Sequence, residues 1–172
     1  AGWVNSAIFL TFRGTEIRMQ VDPSYNNGNN YLEIVLDGSS RDYVQMKPDV
    51  GEYVLLTGLS DEVHTLEVQK RTDILYGSIR FLGFSVSEGG CFLAPPPAKA
   101  LNLEYFGDSI TCGNGDGRSC NAGDQQDRDN GYMSYVGISA RLLNANYHTM
   151  AVSGIGVVQD AMANPNSLPA KF

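Results

Sequence analysis

The fold turns on Leu101–Gly113, LNLEYFGDSITCG. Leu101–Phe106 is a short, mainly apolar run interrupted by Glu104, which predicts a strand of the parallel-sheet kind. Gly107-Asp108-Ser109 follows directly and leads into a helix-like turn. A hydroxyl in that place stands at the C-terminal end of a parallel strand. Ligands collect there in open α/β sheets, because loops diverge and helix N-termini face the crevice. Three residues of this type also recur by chance, and by themselves they read first as a turn that Ser109 caps.

Downstream, a polar loop runs from Asn114 to about Asp129. Tyr132–Leu143 carries apolar residues near helical spacing, with Asp129 or Asn130 as the expected N-cap. Tyr147–Val152 is a second apolar strand ending in Ser153-Gly154-Ile155-Gly156, and a weaker helical stretch spans Val157–Ala163. Strand, loop, helix, strand, loop and helix in this order predict a βαβ unit with a parallel sheet. Residues 101–172 supply only two such strands, whereas a parallel sheet usually has more and is covered on both faces. They read as the first portion of a larger α/β domain.

Upstream, Cys91–Lys99 contains Pro95-Pro96-Pro97 and predicts a stiff extended link. Before it, period-2 alternation and turn residues mark strands at Ala7–Arg13, Thr15–Val21, Tyr31–Leu36, Arg41–Met46, Tyr53–Thr57, His64–Lys70 and Ser78–Ser87. Short strands at such spacing predict an antiparallel β-sandwich or jelly roll. The expected organisation is a jelly roll over residues 1–90, a Pro-rich linker over 91–100 and the start of an α/β domain over 101–172.

Composition narrows the function. Among 172 residues, 12 Lys and Arg against 19 Asp and Glu leave a formal charge of −7. A chain with 42% hydrophobic and 18% charged residues is globular rather than disordered. No apolar run approaches the roughly 18 residues of a membrane span. Acidity without a basic stripe argues against nucleic-acid binding and offers no attraction to anionic membranes. The N-terminal AGWVNSAIFL has no basic segment followed by an apolar h-region, which leaves open a removed signal peptide or a start within a longer chain. Three Cys are too few for a disulfide scaffold. A bridge between Cys112 and Cys120 would close a short loop and add roughly 2.5 kcal/mol; two unbonded loop thiols are the alternative.

Leu103–Gly113 resembles the first signature block of the GDSL, or SGNH, hydrolases, and Ala151–Val157 resembles the second. The similarity sharpens to carbohydrate esterase family two, whose jelly roll is matched by Gly51-Glu52-Tyr53, Gly58–Thr65, Lys70-Arg71-Thr72 and Phe81–Phe84. The resemblance implies a secreted serine hydrolase that deacetylates plant polysaccharides such as xylan and glucomannan, with no cofactor. Ser109 would be the nucleophile. The N–H groups of Ser109 and Gly154 would form part of the oxyanion hole. Asp108 would orient the loop, or be an ordinary turn Asp.

The chain also departs from the family. The Gly-x-Asn-Asp block that supplies a further oxyanion donor is absent, as is the Asp-x-x-His block that supplies the base. The two histidines, His64 and His148, fall inside predicted strands, where side chains face the sheet surfaces rather than the strand end. Serine without a base is a poor nucleophile, and triad enzymes stripped of members keep only ~10³–10⁴-fold catalysis. Residues 1–172 alone are therefore expected to be nearly inactive, with a C-terminal segment completing the site. The rival expectation is a non-catalytic carbohydrate-binding β-sandwich with a vestigial α/β tail. Asp116, Asp124, Asp127 and Asp129 share one loop, but no calcium or zinc spacing emerges and a solvated loop is the better reading. Trp3, Tyr25, Tyr31, Tyr43 and Tyr53 read as packing residues, with sugar stacking as the alternative.

Overall fold

Alternation in Glu16–Val21 puts Ile17, Met19 and Val21 on one face and Glu16, Arg18 and Gln20 on the other. In the computed structural model the first set is buried and the second lies outward. The structure describes residues 2–117, 128–165 and 167. Eight antiparallel strands make up the first part: β1 (Ala7–Arg13), β2 (Glu16–Val21), β3 (Asn30–Leu36), β4 (Ser39–Met46), β5 (Glu52–Thr57), β6 (Val63–Lys70), β7 (Phe81–Val86) and β8 (Cys91–Leu93). They form a five-stranded sheet in the order β4-β3-β6-β1-β8 and a three-stranded sheet in the order β5-β2-β7. Both sheets feed one core. Leu10 and Phe12 of β1, Leu32 and Ile34 of β3 and Leu66 and Val68 of β6 pack with Ile17, Met19 and Leu55 of the smaller sheet. This is the jelly-roll arrangement expected from the strand spacing.

The hairpin between β3 and β4 is set by Asp37-Gly38, whose positive φ angles of 51° and 76° fit a two-residue turn. Asp37 then reaches β6. Its Oδ1 accepts the Thr65 N–H at 2.8 Å, and its Oδ2 lies 2.9 Å from His64 Nδ1. The other ring nitrogen of His64 lies 3.0 Å from the Ser60 carbonyl oxygen. Both ring nitrogens of His64 thus face acceptors within the first unit.

The expected linker begins later than the sequence suggests. Cys91–Leu93 pairs with Thr11–Arg13 as an edge strand, and only the segment from Ala94 to the prolines is without ladder bonds. An edge strand needs bonding on one side only, so the approach to Pro95 does not prevent it.

The chain divides into two compact units that interleave in sequence. The first comprises Ala7–Lys70 and Gly77–Ala98; the second comprises Gly2–Ser6, Arg71–Tyr76 and the chain from Lys99 onward. In the second unit β9 (Leu101–Gly107) and β10 (Ala145–Ala151) pair in parallel, from Leu101↔Ala145 to Gly107↔Ala151. Between them lie α1 (Ser109–Cys112) and α2 (Tyr135–Leu142). This is the expected βαβ unit. Val4 joins it by packing with Cys112 and Ala151, and Asn5 Nδ2 donates to Thr149 Oγ1 at 3.1 Å.

Two helix expectations are corrected. The helix expected over Tyr132–Leu143 starts at Tyr135, and its N-cap is Ser134 rather than Asp129 or Asn130. Asn130 instead closes the preceding turn, its side chain and carbonyl both accepting the Met133 N–H, at 3.2 and 3.0 Å. Val157–Ala163 is not helical. The Asp160 carboxylate takes the N–H groups of Met162 and Asn164, each at 2.9 Å, and this local bonding replaces a helical ladder.

Candidate active site

Parallel pairing with Gly107 opposite Ala151 sends the two following loops out from the same end of the sheet. Val152 N–H donates to the Gly107 carbonyl at 3.2 Å, the last bond before the loops part. Ser109 lies two residues beyond one strand and Gly154 three beyond the other, where the βαβ pattern predicts them.

On the first loop, Asp108 is the N-cap of α1 and its side chain accepts the Ile110 N–H at 3.0 Å. Asp108 therefore shapes the turn that carries Ser109, the ordinary role of a capping Asp. Gly107 is needed for close approach: a Cβ there would come within 2.8 Å of Thr111 Cβ. Gly113 ends the turn at φ 80°, and a Cβ there would overlap the Asn130 carbonyl. Ser109 is half-buried. Among the described residues no side chain bonds its hydroxyl and no acceptor takes its N–H, which lies at the first helical position.

On the second loop, Gly154 is exposed at φ 79°. Its carbonyl accepts the Ala161 N–H at 2.8 Å, and no acceptor among the described residues takes its own N–H. An apolar cavity of about 270 Å³ opens beside it, lined by Leu75, Val152, Ile155 and Met162.

Behind these loops lies a buried acidic pair that the sequence pattern did not indicate. Asp73 and Asp129 are both fully buried. Asp73 Oδ2 accepts the Ser153 N–H at 2.7 Å, and its Oδ1 accepts the Leu75 N–H at 3.0 Å. Asp73 N–H donates to Asp129 Oδ2 at 3.2 Å, and Asn114 Nδ2 donates to Asp129 Oδ1 at 2.8 Å. The expectation of a solvated loop is thus corrected at Asp129, which sits inside. Only its position three residues before the Tyr132 stretch hinted at a cap, and its actual partners lie far off in sequence.

Other candidates separate clearly. Asp124, Asp127 and Cys120 lie outside the described residues, so the Cys112–Cys120 pairing does too; Cys112 itself is buried. Among the described residues no group of acidic, His and Cys side chains could hold a metal ion. His148 is exposed in the middle of β10 and pairs with Glu104. Tyr31 packs its ring 5.7 Å from that of Tyr43. Tyr53 is buried, which pushes its phenol up, and its oxygen accepts the Lys47 N–H at 2.7 Å. Tyr25 is exposed, with the Arg80 guanidinium 5.7 Å from its ring centre.

Known proteins match this arrangement over nearly the whole chain. Residues 1–96 match the family model for the carbohydrate esterase 2 N-terminal region. The cellulase/esterase CelE of Acetivibrio thermocellus is 34% identical over 167 residues, 96% of this chain and 20% of that protein. An acetylxylan esterase / glucomannan deacetylase of Cellvibrio japonicus is 27% identical, over 87% of this chain and 40% of that one. A family two carbohydrate esterase from Clostridium thermocellum, solved in complex with cellohexaose, superposes with a TM-score of 0.85 at 32% identity, covering 95% of this chain and 50% of its own. The chain thus spans half or less of the length of these relatives. With more than half of its residues matched by the family model, the chain belongs to carbohydrate esterase family 2.

Proposed function

We propose that the protein removes acetyl groups from plant polysaccharide such as xylan or glucomannan, through an acetyl-enzyme on Ser109. The observation that carries this is the parallel register of β9 and β10, with Gly107 opposite Ala151, so that Ser109 and Gly154 flank one strand end. Ser109 Oγ attacks the acetyl carbonyl carbon and gives its proton to a base. The N–H groups of Ser109 and Gly154 donate to the oxygen that becomes negative. The C–O bond to the sugar then breaks, the sugar oxygen takes the proton back, and water releases acetate by the same steps. The naming of CelE and of the Cellvibrio japonicus enzyme as esterases supports this chemistry.

The base comes from outside residues 1–172. Supporting this, both ring nitrogens of His64 face acceptors and His148 lies mid-strand. The α/β unit also leaves apolar side chains uncovered: Ile110 is 69% exposed, Leu142 81% and Val158 80%. Residues of that size are normally buried when neighbours are available. A continuation of the α/β domain would cover them and bring the base and the Asn donor, and the greater length of the relatives supports one. A polysaccharide substrate also implies secretion.

The test is acetate release from acetylated xylan and glucomannan, and from p-nitrophenyl acetate, by the full gene product. Ser109→Ala should abolish it. Equal rates for both proteins would remove Ser109 as nucleophile.

A further inference from the structure

The geometry points to the buried pair Asp73 and Asp129 as positioning residues that hold the two oxyanion donors, Ser109 and Gly154, in register; this rests on the reading of those residues given above. The bonds form a continuous path. Ser153 N–H donates to Asp73 Oδ2 at 2.7 Å, Asp73 N–H donates to Asp129 Oδ2 at 3.2 Å, and Asn114 Nδ2 donates to Asp129 Oδ1 at 2.8 Å. Asn114 N–H closes the path on the Ser109 carbonyl at 2.9 Å.

The peptide between Ser153 and Gly154 carries the donor N–H. It is pinned on one side by the Ser153 bond to Asp73 and on the other by the Gly154 carbonyl accepting from Ala161 at 2.8 Å. Gly154 itself is exposed at φ 79°, and a Cβ there would meet open space, so no side-chain packing adds to these bonds in setting its orientation. Of the two bonds, the one to Asp73 is anchored on a fully buried side chain, whereas Ala161 is exposed.

Asp73 is also more than a turn cap. One carboxylate oxygen does cap its own 3-10 turn, through Leu75 N–H at 3.0 Å. The other reaches a residue 80 positions away, from a fully buried site. A buried carboxylate oxygen needs such donors, and an N–H held by it is held tightly. Asp129 is tied into the same frame by its carbonyl, which accepts from Arg71 Nε at 3.4 Å.

The test is kcat and KM of the full gene product carrying Asp73→Asn, with Asn5→Ala as control. Asparagine keeps the shape and one acceptor but turns an NH₂ group towards one of the two N–H donors. Losing an oxyanion donor outright costs about 10²–10³ in kcat, so a mis-aimed one should lower kcat by about 10- to 100-fold, with KM within about twofold. Asn5→Ala removes another long-range side-chain bond, to Thr149, which is not part of the path from Ser153 to Ser109, and should lower thermal stability while leaving kcat unchanged. Unchanged kcat in Asp73→Asn, or an equal fall in Asn5→Ala, overturns the inference. If Asp73→Asn does not accumulate folded, Asn114→Ala, at the exposed end of the path, should lower kcat with KM unchanged; wild-type kcat there overturns the inference. Activity surviving Ser109→Ala would instead overturn the underlying assignment of the nucleophile.

Discussion

Replacing Asp37 by Ala should destabilise the jelly roll in a pH-dependent way. Asp37 holds the β3–β4 turn against β6 by three bonds: from Thr65 N–H at 2.8 Å, from Thr65 Oγ1 at 3.3 Å, and with His64 Nδ1 at 2.9 Å. The backbone bond contributes about 1 kcal/mol. A charge-assisted bond contributes about 1.5–3 kcal/mol when buried. The Asp37 side chain is 43% exposed although His64 is 9% exposed, so solvent screening reduces that bond to about 1 kcal/mol. Ala at φ 51°, a conformation that Asp tolerates better, adds about 1 kcal/mol. The sum is about 3 kcal/mol, a large part of an ordinary domain's stability.

The hydrogen bond to Asp37 raises the His64 imidazolium above its usual value, against a smaller effect of burial. Burial pushes the Asp37 carboxyl up, but the bonds from His64 and Thr65 together outweigh it and hold the carboxyl below its usual range. The His64 contribution is complete below the unfolded imidazole value of about 6.5 and is lost as pH rises through the raised folded value. The Asp37 contribution is complete above the unfolded carboxyl value of about 3.9 and is lost as pH falls through the lowered folded value. The difference between wild type and Asp37→Ala should therefore be greatest between about pH 4 and pH 6.5 and shrink by about 1 kcal/mol towards pH 9. Urea unfolding followed by far-ultraviolet circular dichroism at several pH values measures it. A difference well below 1 kcal/mol at about pH 5.5, or one that grows above neutrality, would refute this account.

Two glycines of the site should respond differently to alanine. Gly107→Ala crowds Thr111 and displaces the turn that carries Ser109, so deacetylation should fall by about 10²-fold; wild-type turnover would show that α1 absorbs the methyl group elsewhere. Gly154→Ala meets open space but an unfavourable φ of 79°, and should cost about 1 kcal/mol in urea unfolding without loss of fold. Residues 1–172 expressed by themselves should bind the dye ANS through Ile110, Leu142 and Val158, and Leu142→Glu with Val158→Glu should dim the signal; an undiminished signal would mean that the dye binds elsewhere.

Much of the fold is legible from the chain alone. Period-2 alternation marks β1 and β2, Asp37-Gly38 marks a hairpin, and the apolar runs ahead of Ser109 and Ser153 mark the parallel pair. These features are local: a strand's faces and a tight turn's φ angles are decided by residues within a few positions, so sequence order preserves them. Val157–Ala163 shows where the local signal misleads, because helical spacing there lost to hydrogen bonds made by Asp160. The pairing of Cys91–Leu93, the grouping of Gly2–Ser6 and Arg71–Tyr76 with the α/β unit, and the path through Asp73 and Asp129 were decided by tertiary structure alone. A buried carboxylate is stabilised by whichever N–H groups the folded chain brings to it. Its partner 80 residues away leaves no periodic trace, so Asp73 looks in sequence like any polar residue between a strand and a turn.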